Sequence, residues 1–477
     1  MNEVGMGVSS KSQLDVLVVG AGIAGLSTAW HLRESGLSVK ILEASPHSFG
    51  HARSHLEFGT VWDEGPHVSF TKNSYVRDFI SHGLPDIQEF RPKVACHFDG
   101  QWLDHPVQHN IDKFPQKLRM QVEADLRREN GSSAQRERSH NYGEWLLENF
   151  GKTMCECFFI PYTKKYWSAD PQELSRDWVG QRISGPRRKS EGNQEKAANH
   201  YIDEIRYPRN GGFEQVYSAL TQGVDVLHSR ELVGINLESR EATDALGGTW
   251  SFSTIVNTAP LPVFCSLLPD NQRPEMPGLE WTAIWLSNCL LSEKPKREET
   301  WGYVYDPAIP FARFWQPHAL VPAPEGVYGI QTETYVRRAI QGVSDLPERS
   351  APEVHAALER LQLSLASDLS KIGLVDAGDK ISIAHHYVEW GNVLFTMNTK
   401  AALTKVWDKL SSFGLKREND DLSPLSKWND SGWPDEGIAD VGTVIMAGRY
   451  AQWKYFWSDD CLLRGRAVAA AVRNSLQ

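Results

Sequence analysis

The chain has 477 residues, 41% of them hydrophobic and 23% charged, with a net charge of −10. The length exceeds a single hydrophobic core, so two or three interleaved domains of ordinary globular composition are expected. The acidic balance gives nucleic acid or an anionic membrane nothing to bind, and no stretch approaches the roughly 18 uninterrupted apolar residues of a bilayer span.

Residues 1–13 lack the apolar core of a signal peptide and read as a flexible N-terminal tail, so a cytoplasmic location is expected. Leu14–Val19 is a short Val-rich run, the pattern of a strand buried on both faces. Gly20-Ala21-Gly22-Ile23-Ala24-Gly25 then turns the chain into an amphipathic helix. In such a GxGxxG turn the first two glycines permit a tight bend and close approach of a pyrophosphate, and the third lets helix pack on strand. The helix start offers N–H groups and a positive dipole end to the phosphates. A second strand, Ser38–Leu42, ends at Glu43, 18 residues after Gly25, where an acid takes ribose hydroxyls. That acid argues against a 2′-phosphate and hence against NADP, which leaves FAD and NAD.

Beyond Glu43, short strands alternate with glycine turns through Gly65-Pro66-His67. From Asp112 to Val179 the spacing becomes helical, and the polar runs 127–140 and 185–200 read as solvent loops, with 184–204 a candidate mobile lid. Residues around 226–257 return as strands, and 277–399 form a strand-rich, tryptophan-containing block suited to a substrate region. The expected domains are a discontinuous FAD-binding domain (14–111, 205–276 and 400–477), a helical domain (112–204) and a substrate-binding region (277–399). A final buried strand, Val444–Ala447, leads to Gly448-Arg449 and to a helix starting near Ser458. A second nucleotide-facing element so far along the chain suits a long cofactor such as FAD, because a helix start can stabilise negative charge on a reduced flavin. The fold class is therefore α/β, with a Rossmann-like FAD-binding domain. The six cysteines are scattered and read as free thiols, and no HExxH or Cys/His spacing suggests a metal site.

Several segments together resemble the UDP-galactopyranose mutase family, within the flavoprotein group that includes protoporphyrinogen oxidase and amine oxidases. These are "DEGPHVSFTKNSYVRDFI", "CHFDGQWLDHPVQHNIDKFP", "IPYTKKYWSADPQELSRDWVGQRI", "YPRNGGFEQVYSALTQGVDV", "IPFARFWQP" and "AGRYAQWKYFW". The resemblance implies that Gly20 to Gly25, Glu43 and Ala44 hold the ADP half of FAD, and that Val226 lends backbone groups to the adenine. It places Pro66, His67, Gly448, Arg449 and Ser458 along the flavin. Tyr162 and Trp167 match positions that pack against uridine, Arg182 and Arg313 match a diphosphate clamp, and Tyr201 and Tyr455 match tyrosines near the sugar and phosphates. The implied reaction occurs at flavin N5 on a UDP-sugar-like substrate, with His67, Arg182 and Arg313 as the catalytic set and a reductant such as NAD(P)H as a further partner. Three departures stand out: Phe49-Gly50 where a double glycine is usual, Phe395 of "NVLFTMN" where a tyrosine is usual, and Trp457 in place of an aspartate. The last two fall in the expected sugar pocket and keep a second reading open. In that reading the chain is an FAD-dependent oxidase or dehydrogenase, because one fold serves many chemistries. Two arginines converging on one pocket would favour the nucleotide sugar, and an apolar aromatic pocket would favour oxidation of a neutral or cationic substrate. A non-enzymatic nucleotide-binding scaffold is the remaining alternative.

Overall fold

The computed structural model of the chain describes residues 12–130, 139–179, 183, 204–321, 324, 326–418 and 441–476. The strand Ser12–Val19 is the centre of a seven-stranded α/β sheet. Val16, Leu17 and Val18 are fully buried, the condition of a strand covered on both faces. It pairs in parallel with Val39–Leu42 on one side and with Thr249–Asn257 on the other. Val226–Leu227 extends the first side in parallel. On the second side, Val444–Met446 pairs in parallel with the end of Thr249–Asn257, and the antiparallel strands Glu241–Asp244 and Leu232–Asn236 extend its beginning.

The helix Ile23–Leu32 leaves the first strand through the glycine turn, and the late helix Ser458–Leu476 packs against it. Gly465 permits that approach, since a Cβ there would lie 2.5 Å from Ser27 Cβ and 2.7 Å from the Ala24 carbonyl oxygen.

A second seven-stranded sheet runs in the order Ile381–Val393, Glu280–Leu291, Tyr328–Ala339, Arg313–Trp315, Trp301–Val304, Val94–Phe98, Gln101–Asp104. Residues 94–104, expected within the nucleotide region, extend this sheet instead. Val94–Phe98 carries buried Ala95, Cys96 and His97 and finds its ladder partner in Trp301–Val304. The region 277–399 is also not strands alone. Pro352–Lys371 is a 20-residue helix whose Leu361, Leu365 and Leu369, at helical spacing, pack on Cys289 and Ile330 of the sheet.

The helices Gln116–Asn130, Tyr142–Met154 and Ile160–Tyr166 form the helical region; the first two pack on each other and the third meets Tyr328–Ala339 of the second sheet. The polar run from Arg127 begins as the last turn of the first of these, correcting the expected loop. Asn141 caps the second, its Oδ1 accepting the Glu144 N–H at 2.9 Å.

Candidate active site

A cavity of about 990 Å³ runs from the glycine turn to the face of the second sheet. At its first end, the three glycines of the turn do different work. Gly20 adopts φ +95°, and the Thr258 hydroxyl pins the turn by donating to the Val19 carbonyl at 2.7 Å. Gly22 lines the cavity, and a Cβ added there would meet nothing within 4 Å. A Cβ at Gly25 would lie 2.0 Å from the Gly20 carbonyl oxygen, so that glycine serves helix-on-strand packing. Ile23 and Ala24 join Gly22 in the lining, which opens the first helical turn to the cavity, whereas Ala21 and Gly25 are buried behind it. The free N–H groups of such a turn are an anion site. Glu43 and Ala44 line the same end, and the Glu43 carboxylate accepts the Ala21 N–H at 2.6 Å.

Val226 is not in the lining. It sits in the edge strand, where Leu227 takes the ladder bond from the Glu43 N–H, and the chain reaches the cavity only at Arg230 to Leu232. Those three residues, and not Val226, line the cavity beside Glu43, whose carbonyl accepts the Arg230 N–H at 2.8 Å.

Gly50, Pro66, His67, Gly448, Arg449 and Ser458 line the middle. Phe49, at the position of the usual first glycine of the pair, holds φ +75°, a left-handed conformation that costs a bulky residue about 1–2 kcal/mol. Burial alone would raise the Glu64 carboxyl, but the hydrogen bond from His51 and the charge of Arg53 bring it down to about 2. His67 stacks on Phe213 with ring centroids 5.4 Å apart, and its buried Nδ1 has no hydrogen-bond partner among the described residues. Burial, helped by the nearby Arg313 charge, lowers its pKa to about 4, so it is a neutral imidazole. Arg449 donates to the Phe456 carbonyl and to Asn392 Oδ1, and lies over the Tyr455 ring.

The far end is aromatic. Tyr162, Tyr166, Trp167, Trp178, Tyr335 and Tyr455 line it together with Arg313. Burial raises the phenols of Tyr162, Tyr166 and Tyr335 well above the usual value, so they stay protonated and work as hydrogen-bonding groups rather than bases. The Tyr166 and Tyr455 hydroxyls lie 3.1 Å apart. Arg313 gives Nε and Nη2 to the two oxygens of Glu333, at 2.6 and 2.9 Å, from the directly opposed position on the neighbouring strand. Burial works against the guanidinium, but the Glu333 charge outweighs it and keeps Arg313 firmly ionised. Its Nη1 hydrogen-bonds none of the described residues.

Phe395 does not reach this chamber. It is 1% exposed and stacks behind Trp178, and its carbonyl accepts the Ser175 N–H, so its missing hydroxyl has no bearing on the pocket. Trp457 does line the cavity, edge-on to Phe70. Arg182, Tyr201 and residues 184–203 of the expected lid lie outside the described residues. Glu333 and Asn392 were missed by sequence reasoning. Asn392 is 3% exposed, and its Oδ1 gathers Tyr166 and Arg449 while its buried Nδ2 has no partner.

The residues fit FAD. An open-sided glycine turn, an acid at the end of the second strand and a second strand–turn–helix element face one cavity long enough to continue into a substrate chamber. Among the described residues, no helix is long and apolar enough to cross a membrane.

Comparison with known proteins agrees with this geometry. A Klebsiella pneumoniae protein described as a UDP-galactopyranose mutase is 31% identical over 165 residues, 34% of this chain and 42% of that one. The mitochondrial protoporphyrinogen oxidase of Nicotiana tabacum is 28% identical over 170 residues, 34% of each chain. The chain thus spans less than half the length of these curated relatives. A crystal structure of a reduced UDP-galactopyranose mutase shares the fold, with a TM-score of 0.78 at 18% identity, over 97% of this chain and 94% of that one. The model of the flavin containing amine oxidoreductases matches residues 23–286, more than half of the sequence. The chain belongs to that family and is an FAD-dependent flavoenzyme.

Proposed function

We propose that this flavoenzyme acts on a nucleotide sugar, rearranging the sugar ring without net oxidation in the manner of a UDP-galactopyranose mutase. One observation carries the reading: a single cavity joins the dinucleotide turn to a chamber that combines stacking aromatic rings with the guanidinium of Arg313. Bound FAD supplies N5, an atom that accepts a hydride when oxidised and is nucleophilic when reduced. The chain's own residues would do the rest. Tyr162 and Trp167 offer faces to a base. Arg313 keeps Nη1 for a phosphate oxygen while Glu333 fixes its plane, so the leaving diphosphate is held near the sugar. The protonated phenols of Tyr166 and Tyr335 and the amide of Asn392 can hydrogen-bond sugar hydroxyls. His67, neutral and with a free Nδ1, can hold a hydrogen bond at the flavin edge without adding charge. Such a rearrangement needs no strong protein base, which suits this set.

A second reading, oxidation of a neutral or cationic small molecule, is favoured by the same Arg313–Glu333 pair. Its two-point contact cancels the guanidinium charge that a diphosphate would seek. The test is to incubate the flavin-loaded protein, oxidised and dithionite-reduced in parallel under nitrogen, with UDP-galactopyranose. Formation of UDP-galactofuranose in the reduced sample alone is the expected result. No interconversion in either sample would overturn the mutase reading, and bleaching of the oxidised flavin by an amine or alcohol would establish the second one. A reductant such as NAD(P)H belongs to the same proposal and would show as anaerobic bleaching.

A further inference from the structure

Outside the flavin cavity, the hairpin strand Ser54–Glu57 lies against the edge strand Ile381–Val393 of the second sheet. Alternation along a strand puts residues 55 and 57 on one face, and that face meets His386. One ligand atom each from His55, Glu57 and His386 lies within 4.8 Å of the others. His386 Nε2 is 2.9 Å from Glu57 Oε2, and the two imidazole rings are 5.1 Å apart. Behind them, fully buried Asn288 donates from Nδ2 to Glu57 Oε2 at 2.8 Å and lies 3.2 Å from His55 Nε2. Asn288 is itself fixed, its Oδ1 accepting from Gln331 Nε2 at 2.7 Å.

We propose that His55, Glu57 and His386 form a binding site for one divalent transition-metal ion, with zinc the best match. Two imidazole nitrogens and one carboxylate oxygen make a three-ligand zinc set that leaves a fourth position for water. Bonds of about 2.0–2.2 Å in tetrahedral array put donor atoms about 3.3–3.6 Å apart. The present spacings bracket that range, so small side-chain rotations are enough to complete the site. Glu57 and His386 keep 23% and 38% of their side-chain surface exposed, which gives an ion a path in. On binding, the metal takes the Nε2 lone pair in place of the His386–Glu57 hydrogen bond, and the neutral imidazole carries its proton on Nδ1. Asn288 remains as the outer partner that holds the carboxylate. The 329 positions between Glu57 and His386 explain why no spacing motif announced the site, and the proposal revises the expectation of no metal.

The test is zinc titration of the chelator-treated, desalted, flavin-loaded protein by calorimetry, with cobalt(II) as a spectroscopic probe. The expected result is one ion per chain and tetrahedral cobalt bands to the red of the flavin. His55→Ala and His386→Gln should each weaken zinc by more than about 100-fold, beyond the tenfold to hundredfold typical of outer partners. The glutamine can still donate to Glu57, so His386→Gln separates loss of a ligand from loss of fold. His385→Ala is the control, because His385 lies on the opposite face and is paired with Ser287 at 2.8 Å. No stoichiometric binding, or equal binding by wild type and His386→Gln, would overturn the proposal.

Discussion

Alanine at Gly25 and alanine at Gly22 should fail in different ways, although both lie in one turn. At Gly25 the new Cβ would stand 2.0 Å from the Gly20 carbonyl oxygen and 3.0 Å from Thr258 Oγ1, where ordinary contact starts at 3.4 Å. The obstacle is backbone, so either the helix or the strand must move by about 1.4 Å (3.4 minus 2.0). Overpacking of that kind costs about 1–3 kcal/mol, and more against a rigid backbone. Alanine's better helix propensity returns only about 0.5–1 kcal/mol. At Gly22 the backbone, at φ −72° and ψ 176°, accepts any residue, and the Cβ meets no protein atom. The methyl group would instead stand in the cavity at the first helical turn. Displacing a phosphate oxygen from one N–H there forfeits about 1.5–3 kcal/mol, roughly tenfold to a hundredfold in affinity. Flavin-stripped Gly25→Ala should therefore melt several degrees below wild type. Stripped Gly22→Ala should melt close to wild type but bind FAD about tenfold to a hundredfold more weakly in a fluorescence-quenching titration. Tight FAD binding by Gly22→Ala, or an unchanged melting temperature for Gly25→Ala, would refute the division of labour.

Four further expectations follow from the cavity. Arg313→Met strands Glu333, 1% exposed, without its cation, and should cost about 3–5 kcal/mol in urea unfolding. Glu333→Gln instead frees the guanidinium charge and should tighten UDP binding about fivefold, about 1 kcal/mol, and unchanged affinity would argue against a diphosphate at Arg313. Trp167→Leu removes ring contacts to Tyr166, Trp178 and Tyr455 and should weaken UDP about three- to tenfold with FAD content intact, as absorbance at the flavin band will show. His67 is held to about 4 in the fold against an ordinary 6.5, so between those values only the unfolded chain takes up its proton. Its contribution is thus complete above pH 6.5 and drains away as pH falls toward 4, by up to about 3 kcal/mol. His67→Gln should flatten that acid limb in urea midpoints measured across the range. It should not abolish it, since His31 is also held to about 4.

The parts of the fold legible in the sequence are those written in local signals. The glycine turn, the buried strand before it and the late strand–turn–helix each announce themselves within about twenty residues, and each has the expected form. What was hidden depends on pairing across distance. Residues 94–104 join the second sheet because their ladder partner is Trp301–Val304, some two hundred positions on. Glu333 faces Arg313 only through antiparallel register. Val226 and Phe395 were misplaced for a related reason, since side chains on neighbouring positions of a returning strand can face ladder, core or cavity, and only the finished packing decides. Asn392 carries no motif at all, and its importance comes from the groups that converge on it.

The position of the last strand and helix also bears on how this enzyme is made. The glycine turn leaves the ribosome well before Gly448, Arg449 and Ser458, which complete the cavity. Arg449 follows Gly22 by roughly 430 positions, a delay of about 20–85 s at about 5–20 residues per second. Over that interval the helix Ile23–Leu32 lacks the partner that covers Ala24 and Ser27, and the central sheet lacks Val444–Met446. The cavity is therefore complete only after that strand and helix have been made and docked, which sets the earliest point at which the whole of it can receive a cofactor.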